Sequence, residues 1–376
     1  MKKVLILILS VFVCSVVFAQ ATEGKKSTFQ LSFFPPLGTN GLQSGQYTNK
    51  ISFNILAGTS RNEEAFTFGG LSNVILNNAR GVQFAGLSNY VGNSGKGLQF
   101  AGLVNINRKD FAGLQFAGLM NTAKGMKGLQ FAGLFNQVRG DGKGLLFAGL
   151  ANSCAKNYKG VQFAGIVNTA KNLSGMQYAG LVNVAKNVKG FQFAGLVNIA
   201  KTVKGVQFAG LVNVAEKSDC PIGLVNIIKK GEKGIAVTYD ATGSMVVSFR
   251  SGGKYTYGIV GVGYNHKTEG RALVTEGGFG AHIPVVSWFR INNEIKISSI
   301  GCDSEEPVLN AGYSFIPAFR IGRHVELFAG AGVNYMESKD TDNDKIFPDH
   351  SLWKKKGSAK WQQLYIGYQF GLQYIF

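Results

Sequence analysis

At 376 residues the chain is long enough for two ordinary domains or one large barrel. It carries 39 Lys plus Arg against 21 Asp plus Glu, a formal charge of +18 that suits anionic headgroups or polyanions. Beyond the first twenty residues no run approaches the roughly 18 apolar residues of a membrane helix, so helical spans are excluded and any insertion would have to use strands.

The chain opens MKKVLILILSVFVCSVVFAQ. Two lysines precede an uncharged run from Val4 to Phe18, and Val17-Phe18-Ala19 offers a cleavage site before Gln20. This predicts a signal peptide over 1–19 and an exported mature chain, for which nucleic acid is not an expected partner. Cys14 lacks the small preceding residue of a lipidation site. The mature cysteines, Cys154, Cys220 and Cys302, are odd in number and far apart, which argues against a disulfide framework or a zinc site.

Residues 20–65 hold two expected strands, near 28–34 and 50–58. A repeat follows over 66–228. It is marked by Asn73, Asn89, Asn105, Asn121, Asn136, Asn152, Asn168, Asn183, Asn198, Asn213 and Asn226, spaced 13 to 16 residues apart. Units such as QFAGLVNIA (192–200) alternate with short Lys- and Gly-bearing segments such as KNVKG (186–190). A central glycine and frequent β-branched residues oppose helix and suit strand. Read with period two, Val206, Phe208, Gly210, Val212 and Val214 form an apolar face, and Gln207, Ala209, Leu211, Asn213 and Ala215 a small, half-polar one. From Phe66 to Lys233 there are 19 basic and 5 acidic residues, so the basicity belongs to the repeats.

Two architectures fit. In one, each unit is a membrane-spanning strand of an antiparallel meander, apolar outside and polar inside. In the other, each unit is a coil of a parallel β-solenoid with Phe and Asn stacked as ladders. In a solenoid Lys171, Lys186 and Lys201 would stack as like charges about 4.8 Å apart. That repulsion makes the meander the leading expectation.

After Asn226 the repeat dissolves, and strands are expected at 234–240, 243–250, 254–264, 271–285, 287–300, 308–320, 324–336 and 361–376. The last, WQQLYIGYQFGLQYIF, alternates fully: Leu364, Ile366, Tyr368, Phe370, Leu372, Tyr374 and Phe376 on one face, Gln363, Tyr365, Gly367, Gln369, Gly371 and Gln373 on the other.

The signal peptide and the aromatic terminal strand ending in Phe376 resemble Gram-negative outer-membrane β-barrels. The FAGLVN units, with FFPPLGTNG (33–41) and KISFNILAG (50–58), resemble uncharacterised bacterial surface-repeat proteins of the GLVN type. The resemblance implies an all-β, antiparallel, up-and-down outer-membrane barrel of roughly 20–22 strands. It further implies contacts with outer-membrane lipid and lipopolysaccharide, and recognition of the terminal strand by the barrel-assembly machinery. The alternative is a solenoid over about 66–228 followed by an eight-stranded barrel. The resemblance brings no catalytic residues, and no cofactor is expected.

Asp340, Asp342 and Asp344 alternate like the start of a calcium loop, but Lys345 and Ser351 break the pattern, leaving weak metal candidates in a polar loop over 337–360. His266, His282, His324 and His350 are scattered without a nucleophile partner. Lys171, Lys186, Lys189, Lys201 and Lys204 are candidate contacts for lipopolysaccharide phosphates or another polyanion. The leading functional expectation is a non-enzymatic barrel, either a passive pore or a surface structural protein. The alternative is an adhesin or polyanion-binding repeat protein, with an outer-membrane hydrolase a distant third.

Overall fold

A computed structural model describes residues 24–268, 272–302, 306–339, 344–357 and 360–376; the expected signal peptide lies outside them. The chain divides into two compact units, 1–180 and 181–376.

In the first unit the repeats are coils of a parallel β-solenoid. The register is strict: Asn105 faces Asn121, Gln115 faces Gln130, and Phe116 faces Phe131 one coil later. The inside of each coil holds the Gln, Ala and Asn of the half-polar face, whereas its Leu turns outward, as Leu103 and Leu119 do. Asn105 donates from Nδ2 to Asn121 Oδ1 at 2.9 Å and to the Phe116 carbonyl at 2.8 Å. Asn121, Asn136 and Asn152 repeat the same pair of bonds toward the next coil. A second ladder runs Gln130 to Gln115 to Gln99 to Gln83, each step 2.6–2.8 Å. Its ends fall where the facing residue is no longer an amide. Gln130 Oε1 has no partner because Leu146 faces it, and Gln83 Nε2 has none beside Thr67.

The apolar face therefore points outward. Phe84, Phe100, Phe116, Phe131, Phe147, Phe163 and Tyr178 form a row of stacked rings, centroids 4.7–5.0 Å apart and planes within 11°. Glycine is required where coils approach most closely. Gly160 has φ of +137°, and a Cβ there would lie 2.0 Å from the Gly144 carbonyl oxygen. At the open first coil, Lys25–Phe34 is partly covered by Leu37–Gly38, which folds back antiparallel onto Ser32 and Phe34.

The second unit begins with coils of the same kind. Asn183, Asn198 and Asn213 carry the ladder to Asn226 at 2.9–3.0 Å per step. Gln207 is bonded to Gln192, but its Oε1 is unpaired because Pro221 faces it. The last amide is capped by the barrel: Asn226 N–H donates to Ser251 Oγ at 2.9 Å, and its Nδ2 donates to the Ser251 carbonyl at 3.1 Å. This satisfies the final rung and covers an edge that would otherwise recruit another strand.

Eight antiparallel strands then close a barrel: Lys233–Asp240, Ser244–Gly252, Thr256–Asn265, Leu273–Val286, Phe289–Ile300, Val308–Ile321, Val325–Ser338 and Trp361–Ile375. Closure is by pairing of the first with the last, from Gly234 against Ile375 to Asp240 against Gln369. The terminal alternation is realised, with Ile366, Tyr368, Phe370, Leu372 and Tyr374 outward and Gln363, Tyr365, Gln369 and Gln373 buried. Buried ion pairs fill the interior: Arg250 with Glu294 at 3.1 Å, Lys296 with Glu276 at 2.9 Å, and Arg290 with Glu326 at 2.8 Å.

These observations correct the leading expectations. The repeats are not antiparallel staves of a 20–22-stranded outer-membrane barrel, and they enclose no wide lumen. They coil in parallel because only that register brings each asparagine amide onto the next. The eight-stranded barrel is a separate, closed sheet, so the passive-pore reading is withdrawn. The outer-membrane location, the lipid and lipopolysaccharide contacts and the role of Phe376 for the assembly machinery came from the resemblance carried by the signal peptide and the terminal strand. The signal peptide lies outside the described residues, and a solenoid joined to a small barrel is not diagnostic of outer-membrane insertion, so these expectations are not upheld. Among the described residues no helix is long and apolar enough to cross a membrane, a statement about helices alone.

Replacing Asn136 by Leu removes a donor from the Phe147 carbonyl and from Asn152 Oδ1, and an acceptor from Asn121. Each buried group left unpaired costs about 1–3 kcal/mol, so with three such groups N136L should lower stability by at least about 3 kcal/mol. Chemical denaturation measures this, and an unchanged midpoint would remove the amide ladder from its central role.

Candidate functional site

Several coils open with a Lys-Gly or Arg-Gly pair whose exposed basic residue stands just before a positive-φ glycine. In the first unit these positions form one row. Arg80 faces Lys96, and Lys127 faces Lys143, which faces Lys159. Ala112 interrupts the row between Lys96 and Lys127, and Ser174 follows Lys159. In the second unit Lys189 faces Lys204. Lys96, Lys127, Lys143 and Lys159 face no carboxylate in the printed register, whereas Asp219 stands opposite Lys204 in the irregular stretch between Ser218 and Cys220. Among the described residues none of Lys96, Lys127, Lys143, Lys159, Lys189 and Lys204 has an ion pair.

Of the five lysines expected from the sequence, Lys189 and Lys204 belong to this row. Lys171 in the first unit, and Lys186 and Lys201 in the second, stand three residues before the row position of their own coils. Lys156 and Lys171 occupy that position in the first unit, beside the irregularity between Cys154 and Asn157. In the second unit Lys186 and Lys201 lie between the paired Ala185/Ala200 and Asn187/Thr202. This row ends in neutralisation, since Glu216 lies 3.8 Å from Lys201 and 3.5 Å from Lys230. Arg80, Lys96, Lys127, Lys143 and Lys159 were not singled out from the sequence. The recurring Lys/Arg-Gly dipeptide was the signal that could have found them.

The stacked charges formed the argument against a solenoid, and their size explains why it fails. Two unit charges about 4.8 Å apart in water repel by about 0.9 kcal/mol, less once long side chains splay and salt screens them. The buried amides of every coil outweigh that cost. The outer faces beside the rows are apolar, with Phe191 38% and Leu196 40% exposed.

Asp340 and Asp342 lie outside the described residues, and Asp344 begins a short 3-10 turn ending at Ile346. Among the described residues no group of three His, Cys, Asp or Glu could hold a metal. Three of the histidines make local backbone or side-chain bonds: His266 to the Gly243 carbonyl, His324 to the Ile375 carbonyl, and His282 to Asn292. Comparison of the chain with family models, curated proteins and solved structures gives no match, so no family is assigned and the likeness to outer-membrane barrels and GLVN-type proteins is not upheld.

The barrel interior sets a pH dependence. Burial and the neighbouring Arg290 charge lower the His282 pKa from 6.5 to about 4. Burial works against the Glu294 carboxylate, but Arg250 and Lys296 outweigh it and hold its pKa below the usual range. Below pH 6.5 the unfolded chain binds a proton at His282 that the folded chain excludes until about pH 4. The stability due to neutral His282 is thus fully present above pH 6.5 and falls as pH drops, by about 2 kcal/mol between pH 7 and pH 5. Urea unfolding at the two pH values should show the drop in the wild type and a smaller one in H282N; equal drops would assign the titration elsewhere.

Proposed function

We propose that the protein is a non-enzymatic repeat protein that binds an extended polyanion along the lysine rows of its solenoid coils. One observation carries this reading. Basic side chains recur in register beside the positive-φ glycines, exposed and in no ion pair among the described residues, through Lys127, Lys143 and Lys159 and again through Lys189 and Lys204. A parallel coil repeats about every 4.8 Å, so the row is a linear array of cations. A rigid array of this kind matches a linear anion without ordering flexible loops, and the bound anion relieves the mutual repulsion of the row. The attraction is largely electrostatic and depends on releasing counterions, so it weakens steeply with salt. Discrimination among phosphate, sulfate and carboxylate polymers would come from the apolar surface beside the row. The exposed Phe and Leu edges there also suit adhesive contact with the body of such a polymer.

The test is binding of inorganic polyphosphate and of a sulfated polysaccharide to the full chain, across a salt series. K127Q/K143Q/K159Q should weaken binding at low salt by at least about tenfold and reduce the slope of log affinity against log salt by about 2 to 3. Exposed substitutions of this kind should leave thermal stability unchanged or slightly raised. Retained affinity and slope in the folded variant would sink the proposal.

A further inference from the structure

Near the turn that joins Leu273–Val286 to Phe289–Ile300, the barrel mouth holds a cavity of about 300 Å³ lined by Glu232, Lys254, His282, Trp288, Arg290 and Arg320. That is the small end of the roughly 300–1,000 Å³ range of small-molecule sites.

The bonding around His282 leaves one polar atom without a suitable protein partner. Asn292 Nδ2 donates to Glu326 at 3.3 Å, so its Oδ1 faces His282 Nδ1 at 2.9 Å. The Nδ1 atom therefore carries the hydrogen, and Nε2 presents a lone pair. The ring is fixed by stacking on Tyr257, centroids 4.3 Å apart, and its side chain is only 9% exposed. Glu232 Oε1, another acceptor, lies 3.8 Å from Nε2. Glu232 Oε1 already lies 2.7 Å from Arg290 Nη1, so the acceptor that calls for a donor is His282 Nε2.

Charge selects the kind of donor. Glu232 is held by Arg290 at 2.7 Å and by Arg320 at 2.7 Å, while Arg290 also pairs with Glu326. These four groups balance to zero, and two guanidinium groups beside the gap disfavour a metal ion or an ammonium. A neutral hydroxyl fits. Lys254 is a further cation on the cavity wall, its ammonium 4.7 Å from the centre of the Tyr255 ring and, among the described residues, in no ion pair although Asp219 lies near enough to act on it. Trp288, 58% exposed, supplies a broad apolar surface of the kind that packs against a ring.

The geometry points to a binding site for a saccharide unit that carries an anionic group. Its ring packs against Trp288, a hydroxyl donates to His282 Nε2, and its carboxylate or sulfate meets Lys254. The assignment does not rest on the lysine rows.

Glucuronate, glucose and 4-hydroxybenzoate, each titrated into the full chain by calorimetry with tryptophan fluorescence in parallel, test it. Glucuronate should bind in the millimolar range and glucose more weakly. W288A should reduce glucuronate affinity by at least about tenfold, and K254Q should bring it down to that of glucose. Both substituted residues are exposed, and an unchanged circular dichroism spectrum verifies the fold. No heat or fluorescence change with glucuronate, or binding unaffected by W288A, overturns the site. Equal affinity for glucose and glucuronate overturns the anionic group, and binding of 4-hydroxybenzoate without glucuronate overturns the saccharide.

Discussion

The solenoid coils depend on one bond, the donation from an asparagine Nδ2 to the Oδ1 of its counterpart in the next coil. An amide has both donor and acceptor ends, so identical side chains in parallel register satisfy each other indefinitely. The second hydrogen of the same Nδ2 holds a backbone carbonyl near the close Phe-Ala-Gly turn. Each asparagine thus fixes both the stacking of coils and the path within a coil. Burying an amide is costly unless it is bonded, which makes any register other than the observed one expensive. The chain's repetition follows from this: a ladder of self-complementary groups needs the same residue at every rung.

The barrel meets the same requirement with charges. Its interior holds Arg250, Lys296, Glu294, Glu276, Arg290 and Glu326, which cannot pair with copies of themselves and need opposite partners on particular strands. No repeat is possible there, which is why the motif dissolves after Asn226. Asn226 marks the change of principle. It accepts the last amide bond from Asn213 and gives its own donors to Ser251, where the first barrel hairpin begins to take over.

Much of this was legible before the structure. The strand character and the eight later strands follow from alternation, which depends only on local geometry, but the alternation breaks at the Gly210 corner and puts Leu211 outside while Gln207 and Asn213 are buried. Alternation cannot say which face is inside. Phe208 and Val206 look like core and are outside, while Gln207 and Asn213 look like a lumen lining and are the core. The choice between parallel and antiparallel turned on weighing exposed lysines against buried amides, and water weakens the first far more than the second. His282 was invisible as a site, because its setting is assembled from Glu232, Asn292 and Arg320, which lie up to 88 residues apart along the chain.

The lysine rows have a consequence for how such a surface could arise. A stack of near-identical coils amplifies whatever residue sits at a given corner, and a basic corner becomes a cationic line by repetition alone. Its repulsion sets a limit, since each added lysine feels not only its neighbour but, in dilute salt, the next few as well. Ala112 and Ser174 interrupt the row, and Glu216 closes the second one with a carboxylate. These breaks fall within otherwise regular coils, where the amide ladder continues unaltered beneath them. Core and surface are therefore separable in this fold. The inward amides can be held constant while the outward corner is charged, neutralised or left apolar, so that binding character changes coil by coil without disturbing the register that holds the coils together.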